Sequence, residues 1–291
     1  MISLNARVIE KVFKIINMRK IVSNMMLDPK RNDKYEKPNK KFFRKYNVNC
    51  NIIDGCKCVT VKTSVTPIKH ILYFHGGAYT LQASKMHWRI IDDIITSVDC
   101  SITFINYPLS PENTCYDTLA FVKKAYALFF QNSVKDIFLM GDSSGGGLAL
   151  SLAQLIKADN TQRKPKKIIL LSPWLDLSLD VQISNQKQEE DLILDKNILK
   201  IVGKRYAGKM SIDNHKCSPL NGDFNNIGEI AIFTGTSDIL NLQAKRLKEI
   251  LNDADVKLYY SEYKRMQHVW MGFPIPEAKK VMAEIIDYIN S

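Results

Sequence analysis

The fold is decided by residues 137–156, which read IFLMGDSSGGGLALSLAQLI. The apolar run at the start of this stretch predicts a buried strand, and the apolar run at its end predicts a helix. Between them, Gly141, Ser143 and Gly145 form the pattern G-x-S-x-G, which places a serine on a sharp turn from strand to helix. A glycine two positions before and after the serine avoids the collisions that a side chain would cause there. The stretch therefore predicts a nucleophilic serine at the carboxyl end of a buried strand.

Two adjacent serines compete for this position, and the register of the motif selects Ser143. If Ser144 were the nucleophile, the first position of the motif would be Asp142 instead of a glycine. We expect Asp142 to support the site without reacting, because neighbouring side chains in a tight turn point apart. The alternative, a glycine-rich turn without chemistry, is disfavoured by the strand before the motif and the helix after it.

The rest of the chain alternates in the same way from about Cys58 onward. Short apolar runs are each followed by a turn and a helical pattern, which is typical of a mostly parallel sheet with helices on both faces. We therefore predict the α/β class. The predicted strands are 71–74, 102–105, 137–140, 168–171, 230–233 and 256–260. The predicted helices are 85–98, 115–131, 146–158, 241–253 and 277–290.

Two segments fall outside this rhythm. Residues 6–27 carry apolar side chains at helical spacing, with an interruption near Asn17. Residues 180–216, between two predicted strands, are polar at first and then helix-like, which indicates a cap insertion. We therefore predict an N-terminal helical cap segment and linker over residues 1–60. The catalytic domain then covers residues 61–291 and carries the cap insertion near 180–216.

A second glycine motif follows the first apolar strand and reads His75-Gly76-Gly77-Ala78-Tyr79. Two adjacent glycines directly after a buried strand let backbone N–H groups face a ligand without obstruction by Cβ. We predict that Gly76 and Gly77 donate hydrogen bonds to an oxyanion, together with the N–H of Ser144 at the start of the next helix. His75 is expected to hold this loop by a hydrogen bond and not to act as the base. Tyr79 is left open between a pocket wall and simple packing.

The base and the acid follow from chain order, because this motif is followed by an acid and then a histidine in its usual fold. Only His215 and His268 come after Ser143, and His215 lies in the predicted cap region before the expected acid. His268 is therefore the predicted base. Asp238 has two interpretations, the acid that orients the imidazole or a helix N-cap without a catalytic role. Asp176, after the preceding strand, is the rival acid.

Several motifs in this order resemble those of the hormone-sensitive-lipase-type branch of the α/β-hydrolases. The similarity extends from about residue 70 to the C-terminus. The resemblance implies an α/β-hydrolase fold with a helical cap and an esterase activity without metal or cofactor. The similar motifs are His75-Gly76-Gly77-Ala78, Gly141-Asp142-Ser143-Ser144-Gly145-Gly146, Tyr107-Pro108-Leu109-Ser110-Pro111-Glu112, Ser172-Pro173-Trp174-Leu175-Asp176-Leu177-Ser178, Ser218-Pro219-Leu220, Gly235-Thr236-Ser237-Asp238-Ile239-Leu240 and His268-Val269-Trp270.

The chain departs from the family pattern at two places. Ala78 replaces the third glycine of the oxyanion motif, which narrows the expected acyl site. The acidic residue that the family commonly carries about ten positions after Pro111 is Phe121 here, so a supporting salt bridge is absent or moved to Asp117. We assign the pocket wall to Tyr79, Trp174 and Trp270, and supporting roles behind the site to His75, Asp142 and Glu112.

The resulting hypothesis is a serine carboxylesterase that hydrolyses small to medium acyl esters through an acyl-enzyme. An amidase or aryl-formamidase would use the same three residues, so the sequence does not separate these activities. A non-enzymatic small-molecule receptor on the same fold normally lacks one of the three. Because Ser143, Asp238 and His268 are all present, the receptor is the weakest of the three hypotheses.

The formal net charge of +11 is concentrated near the N-terminus. Residues 1–45 contain 13 Lys and Arg against Glu10, Asp28, Asp33 and Glu36, a net charge of +9. Because the remaining chain is almost neutral and has no RNA-binding or zinc-finger spacing, we expect no nucleic-acid partner. The basic segment either serves solubility alone or associates weakly with an acidic partner or an anionic membrane surface.

The six cysteines contain no C-x-x-C pair and have no histidines at zinc-ligand spacing, so reduced thiols and no metal site are expected. No stretch reaches the ~20 apolar residues of a membrane span, and the N-terminus lacks the apolar run of a secretory signal. The expected location is cytoplasmic. A monomer and a homodimer both stay open.

Overall fold

The computed structural model describes the whole chain except residues 1, 65, 131–135, 160–161, 181 and 255. Within the described residues, eight strands form one sheet in the order β1-β2-β4-β3-β5-β6-β7-β8. The strands are β1 (Asn47–Ile53), β2 (Cys56–Lys62), β3 (Lys69–Phe74), β4 (Cys100–Ile105), β5 (Asp136–Asp142), β6 (Lys167–Leu171), β7 (Glu229–Gly235) and β8 (Leu258–Tyr263).

The strands from β3 to β8 are all parallel, and β3 lies between β4 and β5. Ile71 of β3 pairs with Ile102 on one side and Phe138 on the other. Helices cover both faces of the sheet, so central strands such as β4 and β6 are buried along their whole length. Continuous apolar runs are what a doubly covered parallel sheet requires. The predicted α/β class with a mostly parallel sheet is confirmed.

Two strands of the sheet were not predicted. β1 and β2 form an antiparallel hairpin whose turn, Asp54-Gly55, has positive φ at both residues (45° and 81°), as a type I′ turn requires. Residues 47–60 therefore belong to the sheet and not to a helical segment or linker, which corrects the assignment of residues 1–60. β1 is an edge strand in which asparagines alternate with Val48, Cys50 and Ile52, whereas the strand prediction relied on continuous apolar runs. This alternation and the Asp-Gly dipeptide after it were the signals that could have found the hairpin.

The predicted helices agree with the structure to within a few residues, although Gln131, the predicted end of one of them, lies outside the described residues. The helices are α1 (Leu4–Ile15), α2 (Met18–Leu27), α3 (Lys40–Lys45), α4 (Lys85–Ser97), α5 (Cys115–Phe130), α6 (Ser144–Ala158), α7 (Asn185–Glu190), α8 (Lys196–Ala207), α9 (Asn241–Asn252) and α10 (Pro276–Asn290). The predicted interruption near Asn17 is confirmed: its left-handed backbone separates α1 from α2, and its side chain caps α2.

The helices form two hydrophobic layers on the sheet. Leu72 and Phe74 of β3 point into the layer made with α5, α6 and α9, whereas Ile71 and Tyr73 point into the layer made with α4 and α10. This alternation follows from the two-residue period of a strand. The carboxyl ends of the parallel strands meet at one edge of the sheet, where ligand sites of open α/β sheets are found.

The helices of the N-terminus and of the insertion pack together. α2 lies against α8, and Arg19 of α2 donates a hydrogen bond from Nη2 to the carbonyl oxygen of Gln188 (2.7 Å). α1 contacts α10, where Ser3 donates from its hydroxyl to Glu277 (2.8 Å). No helix in the described part of the chain is both long and apolar enough to cross a bilayer. The division into a cap and a catalytic domain stays a prediction.

Candidate active site

Ser143 occupies the turn between β5 and α6 in a strained backbone conformation, with φ 52° and ψ −122°. Such conformations cost of order 1–3 kcal/mol and persist only where the surroundings hold them. Here the Ser143 N–H donates to the carbonyl oxygen of Leu171, and the Ser143 carbonyl accepts from Trp174 N–H (2.8 and 2.9 Å). A Cβ on Gly145 would lie 2.0 Å from the carbonyl oxygen of Phe74, so only glycine fits there. The strand and the glycines together hold the serine in this turn.

The structure brings Ser143, His268 and Asp238 together. His268 Nε2 lies 2.9 Å from Ser143 Oγ, and His268 Nδ1 lies 2.8 Å from Asp238 Oδ2. A carboxylate can only accept hydrogen bonds, so Nδ1 carries the imidazole proton and Nε2 is free to accept from the serine hydroxyl. Asp238 follows β7 and His268 follows β8, which places both at the same edge of the sheet as Ser143.

The electrostatic surroundings of His268 favour its protonated form. Burial alone would lower the pKa of His268, but the charge of Asp238 and its hydrogen bond raise it, and Asp191 and Asp142 add to this effect. The net pKa lies above the ordinary histidine value of 6.5. The carboxylates around His268 therefore stabilise the imidazolium form of the ring.

The rival residues lie elsewhere. Asp176 is buried, but its Oδ1 accepts from the N–H and the hydroxyl of Ser178 (2.9 and 2.7 Å), which closes a local turn. His215 is exposed. Asp117 accepts from the N–H and hydroxyl of Thr114 at the start of α5, so the moved salt bridge considered for it is replaced by a helix cap.

The predicted oxyanion loop has an unusual backbone. Gly77 has φ 124°, and a Cβ there would lie 2.6 Å from the carbonyl oxygen of Leu81. Ala78 and Tyr79 follow with φ 55° and 58°, so the substituted third glycine position still adopts the left-handed conformation. The Tyr79 N–H donates to Ser144 Oγ (3.2 Å), which ties this loop to the nucleophile turn. Gly77 and Ala78 line a cavity beside Ser143, and the oxyanion role of these backbone N–H groups stays a prediction.

His75 is placed as a loop support. Its ring stacks on Tyr107 and Phe104, with centroid distances of 4.6 and 5.6 Å, and Nδ1 donates to the carbonyl oxygen of Gly76 (2.7 Å). The Tyr107 hydroxyl donates to the carbonyl oxygen of His75 (2.6 Å). Burial lowers the pKa of His75 to about 4, so the ring is neutral at ordinary pH.

Asp142 lies behind the oxyanion loop. Tyr73 donates its hydroxyl proton to Asp142 Oδ1 (2.8 Å), and His87 Nε2 lies 3.4 Å from Oδ2. Burial would raise the pKa of Asp142, but His87 and the hydrogen bonds hold it below its usual value. A Cβ on Gly76 would lie 2.2 Å from Asp142 Oδ2, so the carboxylate packs directly against the loop. His87 was missed from the sequence, although its capping-box position after Ser84 was visible there.

Glu112 lies farther from the serine than expected. Its carboxylate is half-exposed and pairs with Arg31 through two hydrogen bonds (2.5 and 3.1 Å). Arg31 also donates to the carbonyl oxygens of Ser110 (2.6 Å) and of Thr80, next to the oxyanion loop. The pKa of Glu112 is lowered by the hydrogen bond from Arg31. Glu112 thus secures the N-terminal segment to the loop after β3.

The cavity beside Ser143 has a volume of about 790 Å³. Its floor carries Ser143, His268 and the glycine loop. Its walls come from α2 and the segment after it, from residues 81–87, and from Ile193 and Leu194 of the insertion. These wall residues were missed because periodicity shows that a helix is amphipathic but not which element covers the site. The lining includes Val22, Met25, Met26, Tyr35, Gly76, Gly77, Ala78, Leu81, Met86, His87, Asp142, Ser143, Ile193, Leu194, His268 and Phe273.

The three aromatic residues assigned to the pocket wall are corrected. Tyr79, Trp174 and Trp270 do not line this cavity and are buried in the core. Tyr79 stacks on Tyr206 with a centroid distance of 3.7 Å. Trp174 donates from Nε1 to the carbonyl oxygen of Asp176 (2.9 Å). A large aromatic ring buries more of its surface in the core than along the wall of an open cavity, and this explains the position of these three residues.

Comparison with known proteins agrees with this architecture. The family model described as α/β hydrolase fold matches residues 71–272. An esterase of Acinetobacter venetianus is 28% identical over 245 residues, covering 81% of this chain and 80% of the relative. An acetyl-hydrolase of Streptomyces hygroscopicus is 23% identical over 234 residues, covering 79% and 78%.

Solved structures show the same fold. A hormone-sensitive lipase from a metagenome library superposes with a TM-score of 0.83 over 99% of this chain and 98% of that chain, at 21% sequence identity. The chain belongs to the α/β hydrolase fold family, and it shares the fold of the hormone-sensitive lipase structure.

Proposed function

We propose that this chain, a carboxylic ester hydrolase, is a serine esterase that uses Ser143 as nucleophile, His268 as base and Asp238 as acid. One observation carries the proposal: His268 bridges Asp238 and Ser143 with hydrogen bonds of 2.8 and 2.9 Å at the floor of a cavity. The named activities of relatives, an esterase and an acetyl-hydrolase, support the same reaction.

The reaction proceeds in two steps. His268 Nε2 takes the proton from Ser143 Oγ as the oxygen attacks the ester carbonyl, and Asp238 stabilises the imidazolium. The negative oxygen of the tetrahedral intermediate is held by N–H groups of Gly76, Gly77 and Ser144. His268 then protonates the departing alcohol, which leaves an acyl group on Ser143. His268 then deprotonates a water molecule that attacks the acyl-enzyme, and it returns this proton to Ser143 Oγ as the bond to the serine breaks and the acid is released.

The cavity supports the proposed substrate class. Its volume of about 790 Å³ suits a small to medium ester. Apolar side chains such as Met26, Leu81, Ile193 and Leu194 surround the space above the serine, which favours an uncharged acyl chain. Ala78, in place of the third glycine, narrows the room beside the oxyanion loop.

A panel of p-nitrophenyl esters from C2 to C12 beside an aryl-formamide tests this proposal. We expect kcat/KM to peak among the short and medium esters and to be far lower for the aryl-formamide. An Ala78→Gly variant is expected to shift the preference toward longer acyl chains, since it removes a methyl group from the cavity wall. If the aryl-formamide is turned over faster than every ester, the chain is an amidase that uses the same three residues, and the esterase assignment is wrong.

The raised pKa of His268 sets the pH dependence. Only the neutral imidazole can accept the proton of Ser143, so kcat/KM is expected to fall as pH decreases through the pKa of His268 in the free enzyme. Because Asp238 raises that pKa, the midpoint of the acidic limb is expected above 6.5. A kcat/KM profile with a short ester measures it. Undiminished kcat/KM about two pH units below 6.5 would contradict His268 as the base.

A further inference from the structure

A loop between α7 and α8 lies against both loops of the proposed triad. Gln267, the residue before His268, donates from Nε2 to the carbonyl oxygen of Glu190 (3.0 Å). Gln267 Oε1 accepts from the N–H of Leu192 (2.8 Å). These two bonds fix the insertion beside the base.

Asp191 makes the corresponding contact to the acid. It is fully buried, and its Oδ2 accepts from the N–H of Ile239, the residue after Asp238 (2.9 Å). Its Oδ1 accepts from the N–H groups of Ile193 and Leu194 (2.9 and 2.8 Å). A carboxylate removed from water is costly unless its charged form is hydrogen-bonded, and these three bonds supply that.

The N-terminal helix secures the same loop from the outside. Arg19 of α2 donates from Nε to the carbonyl oxygen of Asp191 (3.0 Å) and from Nη2 to that of Gln188 (2.7 Å). Lys187 donates to the carbonyl oxygen of Thr236, two residues before Asp238. The insertion is therefore linked by hydrogen bonds to the loop that carries the acid, and α2 is linked to the insertion.

We propose that Asp191 is a positioning residue that couples the cap to proton transfer between Ser143, His268 and Asp238. Its bond to Ile239 holds the loop so that Asp238 faces His268 Nδ1. Its own negative charge adds to that of Asp238 beside the imidazole. The inference rests on the proposed esterase function.

The charges around Asp191 are consistent with this role. Burial raises the pKa of Asp191 to about 6, the nearby charge of Asp238 adds to the rise, and the N–H groups of Leu194 and Ile239 and the charge of His268 oppose it. The charge of Lys187 also interacts with Asp191, and the Arg19 guanidinium donates to the backbone carbonyl oxygen of Asp191. Above this pKa, ionised Asp191 raises the pKa of His268.

The decisive variant is Asp191→Asn, which keeps the size of the side chain but replaces one acceptor by an NH₂ group facing backbone donors. We expect kcat for a short p-nitrophenyl ester to fall ~10–100-fold, because small misplacements of catalytic groups have effects of this order. KM is expected to change less than kcat, since Asp191 does not itself line the cavity and contacts it only through Ile193 and Leu194. The acidic limb of kcat/KM is expected to move to lower pH, because His268 loses a negative neighbour.

Asp195→Asn is the matched control. Asp195 also caps backbone N–H groups in the insertion, those of Asn197 and Ile198, but it faces α8 and not the triad. We expect this variant to lower thermal stability without shifting the acidic limb. A purely structural role of Asp191 would give both variants the same pattern.

Arg19→Ala covers the case in which Asp191→Asn does not fold. Arg19 is partly exposed, and its loss loosens the loop without removing a buried charge. A several-fold lower kcat with unchanged KM is expected. Wild-type kcat in every variant that folds would overturn the inference about Asp191. Failure of the proposed function would differ, because the unaltered chain would then neither hydrolyse esters nor react with a fluorophosphonate at Ser143.

A second inference concerns the outer side of the N-terminal helices. Ile9 and Phe13 of α1 pack inward, and Phe13 lies edge-on to Phe273 with a centroid distance of 5.5 Å. The opposite side of α1 is also apolar, and Ile15 is 82% exposed. We call the exposed apolar residues the α1–α2 face. They are Leu4, Val8, Val12, Ile15, Ile21 and Met25.

Basic side chains border this face. Lys11, Lys14 and Lys20 are exposed, and the described residues include no ion-pair partner for them. An apolar helix side bordered by lysines is typical of helices that lie in the interface of an anionic membrane. A second copy of the chain is disfavoured as the occupant, because pairing two such faces would bring like charges together.

From these observations we infer that the α1–α2 face docks on an anionic lipid surface. Met25 belongs to this face and also lines the cavity. Its neighbours Val22 and Met26 line the cavity too, although they do not belong to the face. Docking would therefore place the cavity beside the lipid, where apolar esters collect.

Vesicle flotation tests this inference. We expect binding to vesicles of phosphatidylcholine with phosphatidylglycerol to exceed binding to phosphatidylcholine alone by at least ~10-fold, since each lysine adds about fivefold at an anionic surface. Ile15→Asp is expected to abolish it. Ile68 is also exposed, but it precedes the amino end of β3, whereas Ser143 follows the carboxyl end of β5. Ile68→Asp is therefore expected to leave vesicle binding unchanged. Equal or absent binding to both vesicles, or a dimer that Ile15→Asp dissociates, would overturn the inference.

Discussion

Replacing Ser143 by alanine is expected to abolish ester hydrolysis while leaving the fold intact. The side chain is small and lies in a turn held by backbone hydrogen bonds, so alanine can occupy the same position. Without the hydroxyl there is no atom to receive the acyl group, and loss of the nucleophile in a serine hydrolase typically lowers kcat by ~10⁶-fold. Turnover of a short p-nitrophenyl ester measures the loss, and circular dichroism with thermal unfolding checks the fold.

Ser151→Ala is the matched control for this variant, because Ser151 is a buried serine of α6, the helix that follows Ser143, and does not line the cavity. It is expected to keep wild-type turnover. A fluorophosphonate should label the unaltered chain at Ser143 and fail to label Ser143→Ala. Activity of Ser143→Ala within tenfold of the wild type would rule out Ser143 as the nucleophile.

Asp238→Asn is expected to lower kcat by about 10⁴-fold, on the scale that the same exchange has in other serine hydrolases. An asparagine NH₂ group facing His268 Nδ1 favours the tautomer with the proton on Nε2. That nitrogen then cannot accept from the Ser143 hydroxyl, although it lies 2.9 Å from it. The size of the side chain and the position of the imidazole are unchanged, so KM is expected to change much less than kcat.

Asp176→Asn separates the two candidate acids. Both aspartates are buried and follow neighbouring strands, but Asp176 bonds to Ser178 and not to His268. We expect Asp176→Asn to affect stability alone. A large loss of kcat in Asp176→Asn together with near-normal kcat in Asp238→Asn would reverse the assignment.

The two segments of the predicted cap are far apart in the chain, yet both line the cavity above Ser143, and the insertion also contacts Ile239 and Gln267. If the proposed function is correct, substrate binding and proton transfer depend on the same segments. Variants of α2 are expected to influence turnover as well as specificity.

Local chemistry made part of the site predictable. Ser143 could be selected because a strained turn requires glycine at fixed spacing, and His268 because few histidines follow the nucleophile. Asp238 depended more on the family resemblance, since an aspartate after a turn is also a common helix cap. The edge strand β1 was not recognised because its apolar residues alternate with asparagines and form no continuous run, although this alternation and the turn at Asp54-Gly55 both indicated a hairpin.

The amino-acid sequence by itself determined the strand–turn–helix around Ser143, the central parallel strands and most helices, because these depend on near neighbours and on residue periodicity. Only the tertiary structure decided the residues that surround the serine. Trp174 and Trp270 are buried in the core. Met26, in contrast, lines the cavity, and Asp191 contacts the loop that carries Asp238. Such placements depend on how segments far apart in the chain pack against one another, and hydrophobic periodicity carries no information about the partner.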